Sequence, residues 1–245
     1  MSGCLLVDAG NSRLKWRWIK TDTSEHGSCA NSELENSLPV SWRRREVPGR
    51  ILVSAVSGHR FRPEFSRAVL DLWGIEVEFA QVAEAGFGLY NRYRDPAQLG
   101  VDRWLALIAA HATHPGCVVV VDAGTVITCD LILPGGDYPG GMLMPGLTTL
   151  EENFRARVPH LEVSGRDAVN FPANNTSDAI ALGIRTATLA GIGQFIDNAA
   201  ALAGEPPALL LTGGDGAWLA DNGFPAAVVY ENLVLDGLKT VAEQT

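Results

Sequence analysis

The same four residues occur twice in this chain, each time at the end of an apolar, strand-like run. Val7 to Gly10 reads Val-Asp-Ala-Gly, and Val121 to Gly124 repeats it. Each copy is followed by a polar residue and then by a second strand-like segment,. Internal repetition over such a distance predicts two duplicated lobes that face one another across a cleft, rather than a solenoid of short repeats.

Hydrophobic periodicity predicts alternating strands and helices in the first half of the chain. The expected elements are a β-hairpin (5–18), a strand (51–56), a helix (65–73), a strand (75–79) and a helix (101–111),. The polar stretch 21–49 predicts an irregular excursion or short edge elements. His114-Pro115-Gly116 ends the last helix, because Pro and Gly disfavour its continuation,. We therefore expect an N-terminal lobe of residues 1–115 and a C-terminal lobe of residues 116–245.

The second half repeats the mixture of strands and helices. The expected elements are two strands (118–125 and 126–133), a helix (148–157), a helical stretch (177–202) interrupted by Gly183, Gly191 and Gly193, a strand (208–211) and a last helix (232–242),. A chain of this pattern belongs to the α/β class, with a mixed sheet in each lobe.

Composition restricts the partners and the compartment. The net charge of −9 disfavours broad binding to nucleic acid or to anionic membranes, which requires an excess of clustered Lys and Arg,. The basic run Arg43-Arg44-Arg45 lies in a polar stretch and is interpreted as a solvated face,. We find neither a leader sequence nor about 18 uninterrupted apolar residues. The expectation is a cytoplasmic protein that binds no nucleic acid and no membrane.

The residues Asp8 to Lys15 could hold phosphate groups. A glycine at a tight turn lets backbone N–H groups point outward, beside a carboxylate, two small polar side chains and an ammonium group,. Taken alone, the run fits an ordinary surface hairpin equally well. The second copy at Asp122 to Thr125 favours a nucleotide site.

Neither a Walker A sequence nor a dinucleotide-binding glycine motif occurs. The glycine pair in Leu211 to Gly216 suits either close approach to a flat ligand such as adenine or a simple strand-to-helix turn,.

Five motifs in order along the chain resemble those of the type III pantothenate kinases. They are Asp8 to Lys15, Leu99 to Trp104, Asp122 to Thr128, Gly140 to Leu147, and Asn175-Thr176. Together they span nearly the whole chain. Departures from the family pattern are Val101 and Val126, where alanine is usual, and Leu143, where isoleucine is usual.

This resemblance implies a fold and an activity. The fold would consist of duplicated ribonuclease H-like (actin-like ATPase) lobes, each a mixed sheet with flanking helices, with a cleft between them. The activity would be transfer of the γ-phosphoryl group of ATP to pantothenate, giving 4′-phosphopantothenate in the first step of coenzyme A biosynthesis. The implied cofactors are Mg²⁺ with ATP and a monovalent cation, K⁺ or NH₄⁺. The implied assembly is a homodimer.

The resemblance also assigns residues to each role. Asp102 would accept the proton of the attacking hydroxyl. The acceptor site would comprise Tyr93, Gly100, Val101, Asp102, Arg103 and Thr176. ATP would contact Asp8, Ala9, Gly10, Asn11, Ser12, Arg13, Leu14, Lys15 and Thr125. Asp8 would organise Mg²⁺ through water, and Asp122 would bind the monovalent cation.

Two of these residues have a plainer interpretation. Without the family pattern, Asp102-Arg103 is better explained as an ordinary charge pair at a helix N-terminus. Within the family pattern, the Arg103 guanidinium suits the carboxylate that pantothenate carries.

Two other functions remain open from the sequence. The first is a kinase of the same superfamily that acts on a sugar or another small acid, against which the block Gly100 to Arg103 argues. The second is a nucleotide-binding transcriptional accessory protein, as some related sequences have been described. The presence of both Asp8 and Asp102 disfavours a protein without catalysis.

Overall fold

The computed structural model describes residues 3–20, 23–34, 37–56, 60–166 and 170–244. The chain forms two compact units. Unit 1 comprises residues 1–113 together with 232–245, and unit 2 comprises residues 114–231.

The described residues form the following β-strands: β1 (Cys4–Ala9), β2 (Arg13–Ile19), β3 (Ser24–Ala30), β4 (Arg50–Ala55), β5 (Glu78–Phe79), β6 (Ala85–Gly86), β7 (Leu89–Asn91), β8 (Val118–Ala123), β9 (Val126–Ile132), β10 (Asp137–Tyr138), β11 (Gly140–Pro145), β12 (Ala208–Thr212) and β13 (Val228–Val229). The helices are α1 (Phe61–Trp73), α2 (Val101–Thr113), α3 (Leu147–Arg157), α4 (Thr176–Ala203), α5 (Gly216–Asn222) and α6 (Leu233–Gln244). Short 3₁₀ turns occupy Asn31–Glu33, Val40–Arg44 and Pro96–Gln98.

The two units contain sheets of the same topology. In unit 1 the strand order is β3-β2-β1-β4-β5, and in unit 2 it is β11-β9-β8-β12-β13. In each sheet the three strands that come first along the chain pair antiparallel (β1, β2 and β3; β8, β9 and β11). A fourth strand then pairs parallel with the first, and a fifth pairs parallel with the fourth. The repeated Val-Asp-Ala-Gly sequence lies at the end of the first strand of each sheet, so the predicted duplication and the α/β class are confirmed.

The last helix joins the first unit. Its face Leu233, Val234, Leu235 and Leu238 is buried, and α6 packs against α2, β1 and β4. The contact with α2 is so close that a Cβ atom on Gly237 would clash with the carbonyl oxygen of Leu105. The sequence-based division at residues 115/116 places this segment in the C-terminal lobe, because adjacency along the chain does not show which sheet an apolar helix covers.

Aromatic side chains fill much of the unit 1 core. Trp42 is fully buried and stacks on Trp73 with ring centroids 5.6 Å apart. Trp16 and Trp18 meet the Trp42 ring edge-on. Trp104 is buried in α2. The interpretation of Trp16, Trp18 and Trp104 as core residues is therefore confirmed.

Helix α4 is continuous through its glycines, although the sequence predicted interruptions at Gly183, Gly191 and Gly193. A single glycine costs a helix only about 1 kcal/mol, and the packing of α4 against α3 and β9 outweighs that cost. By length and composition α4 is the one described helix that could cross a membrane. One such helix is weak evidence for a membrane span, and Arg185 and Asp197 interrupt the apolar run.

Candidate functional site

The turn between β1 and β2 carries the predicted phosphate contacts. The N–H of Gly10 donates to the Arg13 carbonyl oxygen at 3.1 Å and closes the turn. Asn11, Ser12 and Arg13 are exposed at its tip. Polar side chains and backbone groups at this tip are therefore accessible to a ligand.

Asn31 braces this turn from the neighbouring strand end. Its Nδ2 donates to the carbonyl oxygens of Gly10 at 3.0 Å and of Asn11 at 2.9 Å. Its backbone N–H donates to the Ser12 carbonyl oxygen at 3.0 Å. Three consecutive turn carbonyls are thereby directed toward Asn31. Sequence reasoning missed this residue because it lies in the polar stretch 21–49, which shows no pattern.

Asp8 is half-buried between two polar neighbours on the sheet. The antiparallel register places Lys15 of β2 directly opposite it. The parallel register places Ser54 of β4 on its other side, and Ser54 is fully buried. In-register residues on adjacent strands share a face of the sheet. Strand pairing thus places Asp8 and Lys15 at opposite positions on adjacent strands.

Two other residues of the run Asp8 to Lys15 point inward. Ala9 and Leu14 are buried in the core of unit 1. They could therefore contact ATP only through the backbone. Arg13 is exposed and donates from Nη2 to the Ser28 hydroxyl oxygen at 3.0 Å.

Asp102 lies in the first turn of α2, with its side chain folded back over the helix start. Its Oδ1 accepts a hydrogen bond from the Arg103 N–H at 2.8 Å. A Cβ atom at position 100 would lie 2.5 Å from that same oxygen. Gly100 is therefore required for Asp102 to adopt this orientation.

Arg103 and Tyr93 form a pair beside Asp102. Arg103 Nη1 donates to the Tyr93 hydroxyl oxygen at 3.0 Å, and the guanidinium carbon lies 5.7 Å from the centre of the Tyr93 ring. The side-chain oxygen of Asn91 accepts from the Tyr93 N–H. Arg103 is only 8% exposed. The predicted acceptor residues of unit 1 are consequently neighbours, but the Arg103 fork is mostly covered.

A cleft of about 450 Å³ opens beside Gly100 and Val101. Its walls come from the carboxyl ends of β4 and β5, at Ala55 and Ala80, and from the segment that leads into α2. In open α/β sheets, ligands bind at the carboxyl ends of parallel strands. Two predicted acceptor residues thus line a cavity at the expected edge of the sheet.

The second acidic bend, in unit 2, has a related environment. Asp122 is half-buried, with Thr128 opposite on β9 and Thr212 beside it on β12. Thr212 is buried. Both bends therefore place a hydroxyl side chain on the parallel neighbour of the aspartate, whereas only the first places a lysine on the antiparallel neighbour.

Two glycines from other loops pack directly on the second bend. Gly213 has a φ of +87°, and a Cβ atom there would lie 2.5 Å from Asp122 Oδ1 and from the Ala123 carbonyl oxygen. Gly146 approaches the carbonyl of Gly124 so closely that any Cβ atom would clash. Backbone conformation and packing therefore both require glycine at position 213. A Cβ atom at Gly214 would meet nothing within 4 Å.

Thr125 ends the second bend and is exposed. Its carbonyl oxygen accepts hydrogen bonds from the Gly146 N–H at 3.0 Å and from the Thr149 hydroxyl at 2.7 Å. These bonds attach the bend to the start of α3 and leave the Thr125 side chain at the surface.

Thr176 is the first residue of α4 and is also exposed. Asn175 caps the helix, because its side chain accepts from the Asp178 N–H at 2.9 Å,. Hydrogen bonds from Ser164 and Asn175 lower the pKa of the Asp178 carboxyl group. An ionised Asp178 in the first turn favours the helix start that holds Thr176.

The described residues contain no group of three or more His, Cys, Asp or Glu side chains that could hold a metal ion. Asp8 and Asp122 each offer a carboxylate, and oxygen is the ligand that Mg²⁺ and alkali cations prefer. A cation at either position would complete its shell with water and phosphate oxygens. The donor chemistry therefore fits the implied ions.

Solved structures share the fold. A glucokinase from an Antarctic psychrotroph is 10% identical, with 100% of both chains covered and a TM-score of 0.53. A Campylobacter jejuni protein, provisionally described as a Baf family transcriptional activator, is 25% identical, with 98% of both chains covered and a TM-score of 0.64. The duplicated sheets and their acidic bends thus define a protein of the actin-like ATPase and sugar kinase fold.

Sequence comparison narrows this class to one family. Residues 4–198 match the profile of the type III pantothenate kinases. The type III pantothenate kinase of Janthinobacterium sp. (strain Marseille) is 37% identical over 256 residues, with 98% of this chain and 97% of the relative covered. That of Laribacter hongkongensis (strain HLHK9) is 33% identical over 241 residues, with 98% and 99% covered. The chain belongs to the type III pantothenate kinase family.

Proposed function

We propose that this protein transfers the γ-phosphoryl group of ATP to the primary hydroxyl of pantothenate, forming 4′-phosphopantothenate and ADP in coenzyme A biosynthesis. The observation that carries the proposal is the full-length similarity to type III pantothenate kinases. The geometry of unit 1 supports it, because a braced turn beside Asp8 and Lys15 suits phosphate binding and Asp102 begins a helix at a cleft.

The turn of unit 1 would hold the phosphates of ATP. Asn11 and Ser12 are exposed at its tip, and the Lys15 ammonium group would supply positive charge. Mg²⁺, when bound near Asp8 through water, would neutralise part of the phosphate charge. Positioning and charge neutralisation account for most of the catalysis in such transfers.

Asp102 would accept the proton of the attacking hydroxyl. The hydroxyl oxygen forms a bond to the γ-phosphorus, the bond from that phosphorus to the bridging oxygen of ADP breaks, and the proton goes to the carboxylate. Proton transfer is late in a loose transition state, so a carboxylate of ordinary basicity is sufficient. The bond from the Arg103 N–H to Asp102 Oδ1 holds the carboxylate in one orientation.

The other predicted residues complete the proposal. Tyr93, Gly100, Val101 and Arg103 would form the acceptor site of unit 1. In unit 2, Thr125 would contact the nucleotide, Asp122 would bind K⁺ or NH₄⁺, and Thr176 would contact the acceptor. We also propose a cytoplasmic homodimer that binds neither nucleic acid nor membrane, in keeping with the net charge of −9.

A coupled assay of ADP release tests the activity. Purified protein with Mg²⁺, K⁺ and ATP should release ADP with pantothenate, and not with a panel of sugars and short acids. Asp102→Asn should abolish turnover without unfolding the protein, because an amide oxygen can still accept from the Arg103 N–H. Undiminished turnover of this variant would remove Asp102 from the mechanism.

A second candidate is a transcriptional regulator, because the Campylobacter jejuni protein with the same fold is provisionally described as a Baf family transcriptional activator. The same assay separates the two functions. ADP release that does not respond to pantothenate, or no ADP release at all, would favour the regulator.

A further inference from the structure

Arg166 lies at the centre of a polar network in unit 2. Its Nε donates to Glu151 Oε1 at 3.1 Å, and its Nη1 donates to Asp215 Oδ1 at 2.8 Å. Its Nη2 donates to the Thr148 hydroxyl oxygen at 3.1 Å, and the guanidinium carbon lies 5.9 Å from the centre of the Trp218 ring. The three charged side chains are between 13% and 24% exposed, so solvent screens these ion pairs only in part,. The Arg166 side chain is therefore held in one orientation.

Two of its partners belong to the start of α3, which is bonded to one end of the second bend (Asp122 to Thr125). These partners are Thr148 and Glu151. Beside them, the Thr149 hydroxyl and the Gly146 N–H both donate to the Thr125 carbonyl oxygen. A displacement of the α3 start would therefore move the end of the bend.

The third partner, Asp215, follows β12 and is bonded to the middle of the same bend. Its N–H donates to the Ala123 carbonyl oxygen at 3.0 Å. Gly213 packs so closely on the bend that a Cβ atom there would clash with Asp122 Oδ1 and with that same carbonyl. A displacement of the turn after β12 would therefore also move the bend.

Arg166 closes a ring of contacts around the second bend. The ring runs from Thr125 to the start of α3, through Arg166 to Asp215, and back to the bend at Ala123. If the guanidinium group were removed, Glu151 and Asp215 would lose the cation that both contact, and their like charges would repel one another. The α3 start and the turn after β12 would then separate, and the bend between them would lose its fixed shape.

We propose that Arg166 is a positioning residue for nucleotide binding, which fixes the second bend in the shape that lets Thr125 contact ATP. The inference rests on the proposed kinase activity and on the proposed role of Thr125. Arg166 acts through the bend and not by direct contact, because three of its five N–H groups already bond within the chain,. It lies outside the motifs that mark the family.

The start of α4, which carries the proposed acceptor contact Thr176, has separate attachments. Asn175 caps the helix through the Asp178 N–H. The hydroxyl oxygens of Ser164 and Ser177 lie 2.8 Å apart. Neither attachment includes Arg166. Loss of the Arg166 network should therefore weaken nucleotide binding and leave the acceptor site intact.

The test measures kcat and the KM values for ATP and pantothenate in the ADP-release assay. Calorimetry adds the Kd for the non-hydrolysable ATP analogue AMP-PNP with Mg²⁺ and without pantothenate. Arg166→Met removes the charge and keeps an unbranched side chain. Arg166→Lys keeps the charge but not the planar fork that can bond two carboxylates. Arg155→Gln is the matched control, because Arg155 also approaches Glu151, at 3.9 Å, with a side chain that is 50% exposed.

Partly exposed ion pairs predict a moderate and selective effect. Arg166→Met should raise the KM for ATP and the Kd for AMP-PNP about three- to tenfold, while kcat and the KM for pantothenate change less than about twofold. Arg166→Lys should recover part of the affinity, and Arg155→Gln should behave as the wild type. Combining Arg166→Met with Asp215→Ala should weaken AMP-PNP no further than Arg166→Met alone, because both changes open the same ring.

The outcomes separate this inference from the activity itself. A wild-type Kd for AMP-PNP in Arg166→Met would overturn the inference, and so would additive effects of Arg166→Met and Asp215→Ala. An equal rise in the KM for both substrates would indicate a merely structural role and would also overturn it. If Arg166→Met does not fold, an unchanged Kd in Arg166→Lys has the same meaning.

AMP-PNP binding requires no turnover. If the wild type binds AMP-PNP but does not phosphorylate pantothenate, the proposed kinase activity is wrong, and the Kd values of the variants still decide the role of Arg166. If the wild type does not bind AMP-PNP, both proposals are wrong.

Discussion

Replacing Asn31 tests whether the β1–β2 turn needs its brace in order to hold ATP. Asn31→Ala removes the two bonds from Nδ2 to Gly10 and Asn11 but keeps the backbone bond to Ser12. Each lost bond is worth about 0.5–1.5 kcal/mol net, so the pair contributes about 1–3 kcal/mol. Because Asn31 is half-exposed, water replaces part of the loss and favours the lower end. About 1 kcal/mol corresponds to roughly a fivefold change in an equilibrium.

The assay measures kcat and KM for each substrate together with the melting temperature. Asn31→Ala should lower kcat/KM for ATP about fivefold, leave the KM for pantothenate unchanged, and lower the melting temperature by a few degrees at most. Asn31→Asp should lower kcat/KM for ATP further at neutral pH, because its carboxylate would face two carbonyl oxygens. At low pH kcat/KM for ATP should recover in part, because protonation restores a hydrogen-bond donor.

Asn198→Ala is the control, because the one hydrogen bond of the Asn198 side chain among the described residues is that from Gln194, on the exposed side of α4. A wild-type KM for ATP in Asn31→Ala would refute the role of the brace. An equal loss for both substrates would indicate general destabilisation instead.

Two further predictions concern glycines that the sequence alone could not distinguish. Gly213→Ala should destabilise unit 2 by about 1–2 kcal/mol because of the left-handed backbone at this position, and by more because the added Cβ atom would clash with Ala123,. Gly214→Ala, the control, should change stability little. Equal unfolding midpoints for the two variants would contradict this packing argument. Gly183→Ala should stabilise the protein by about 0.5–1 kcal/mol in urea unfolding, because the helix is continuous there and the added methyl group meets nothing within 4 Å; a lower midpoint would show that the site is crowded.

The strands that the sequence predicted best are those with continuous apolar runs. β4 and β8 are buried over most of their length, and Val and Ile favour such strands. β3 reads Ser-Glu-His-Gly-Ser-Cys-Ala and has no apolar pattern. It forms because it adds to the exposed edge of β2, a pairing between strands that its own residues do not specify.

In the candidate site, too, some features could be predicted from their own residues and others depend on neighbours in the fold. The acidic bends could be predicted because glycine and aspartate mark turns in the sequence itself. Asn31 and Ser54 could not, because each lies beside the bend only through a neighbour that the folded chain supplies. The sequence gives one indication of the role of Ser54, because it is a polar residue within the apolar run 51–56.

The return of α6 to unit 1 has a consequence for the order in which the protein is made. Unit 1 lacks the partner of α2 until residues 233–244 have been synthesised. During translation the ribosome therefore completes all of unit 2 before the first sheet receives its final cover. The nascent chain must keep the apolar surface of α2 out of aggregates for that whole interval.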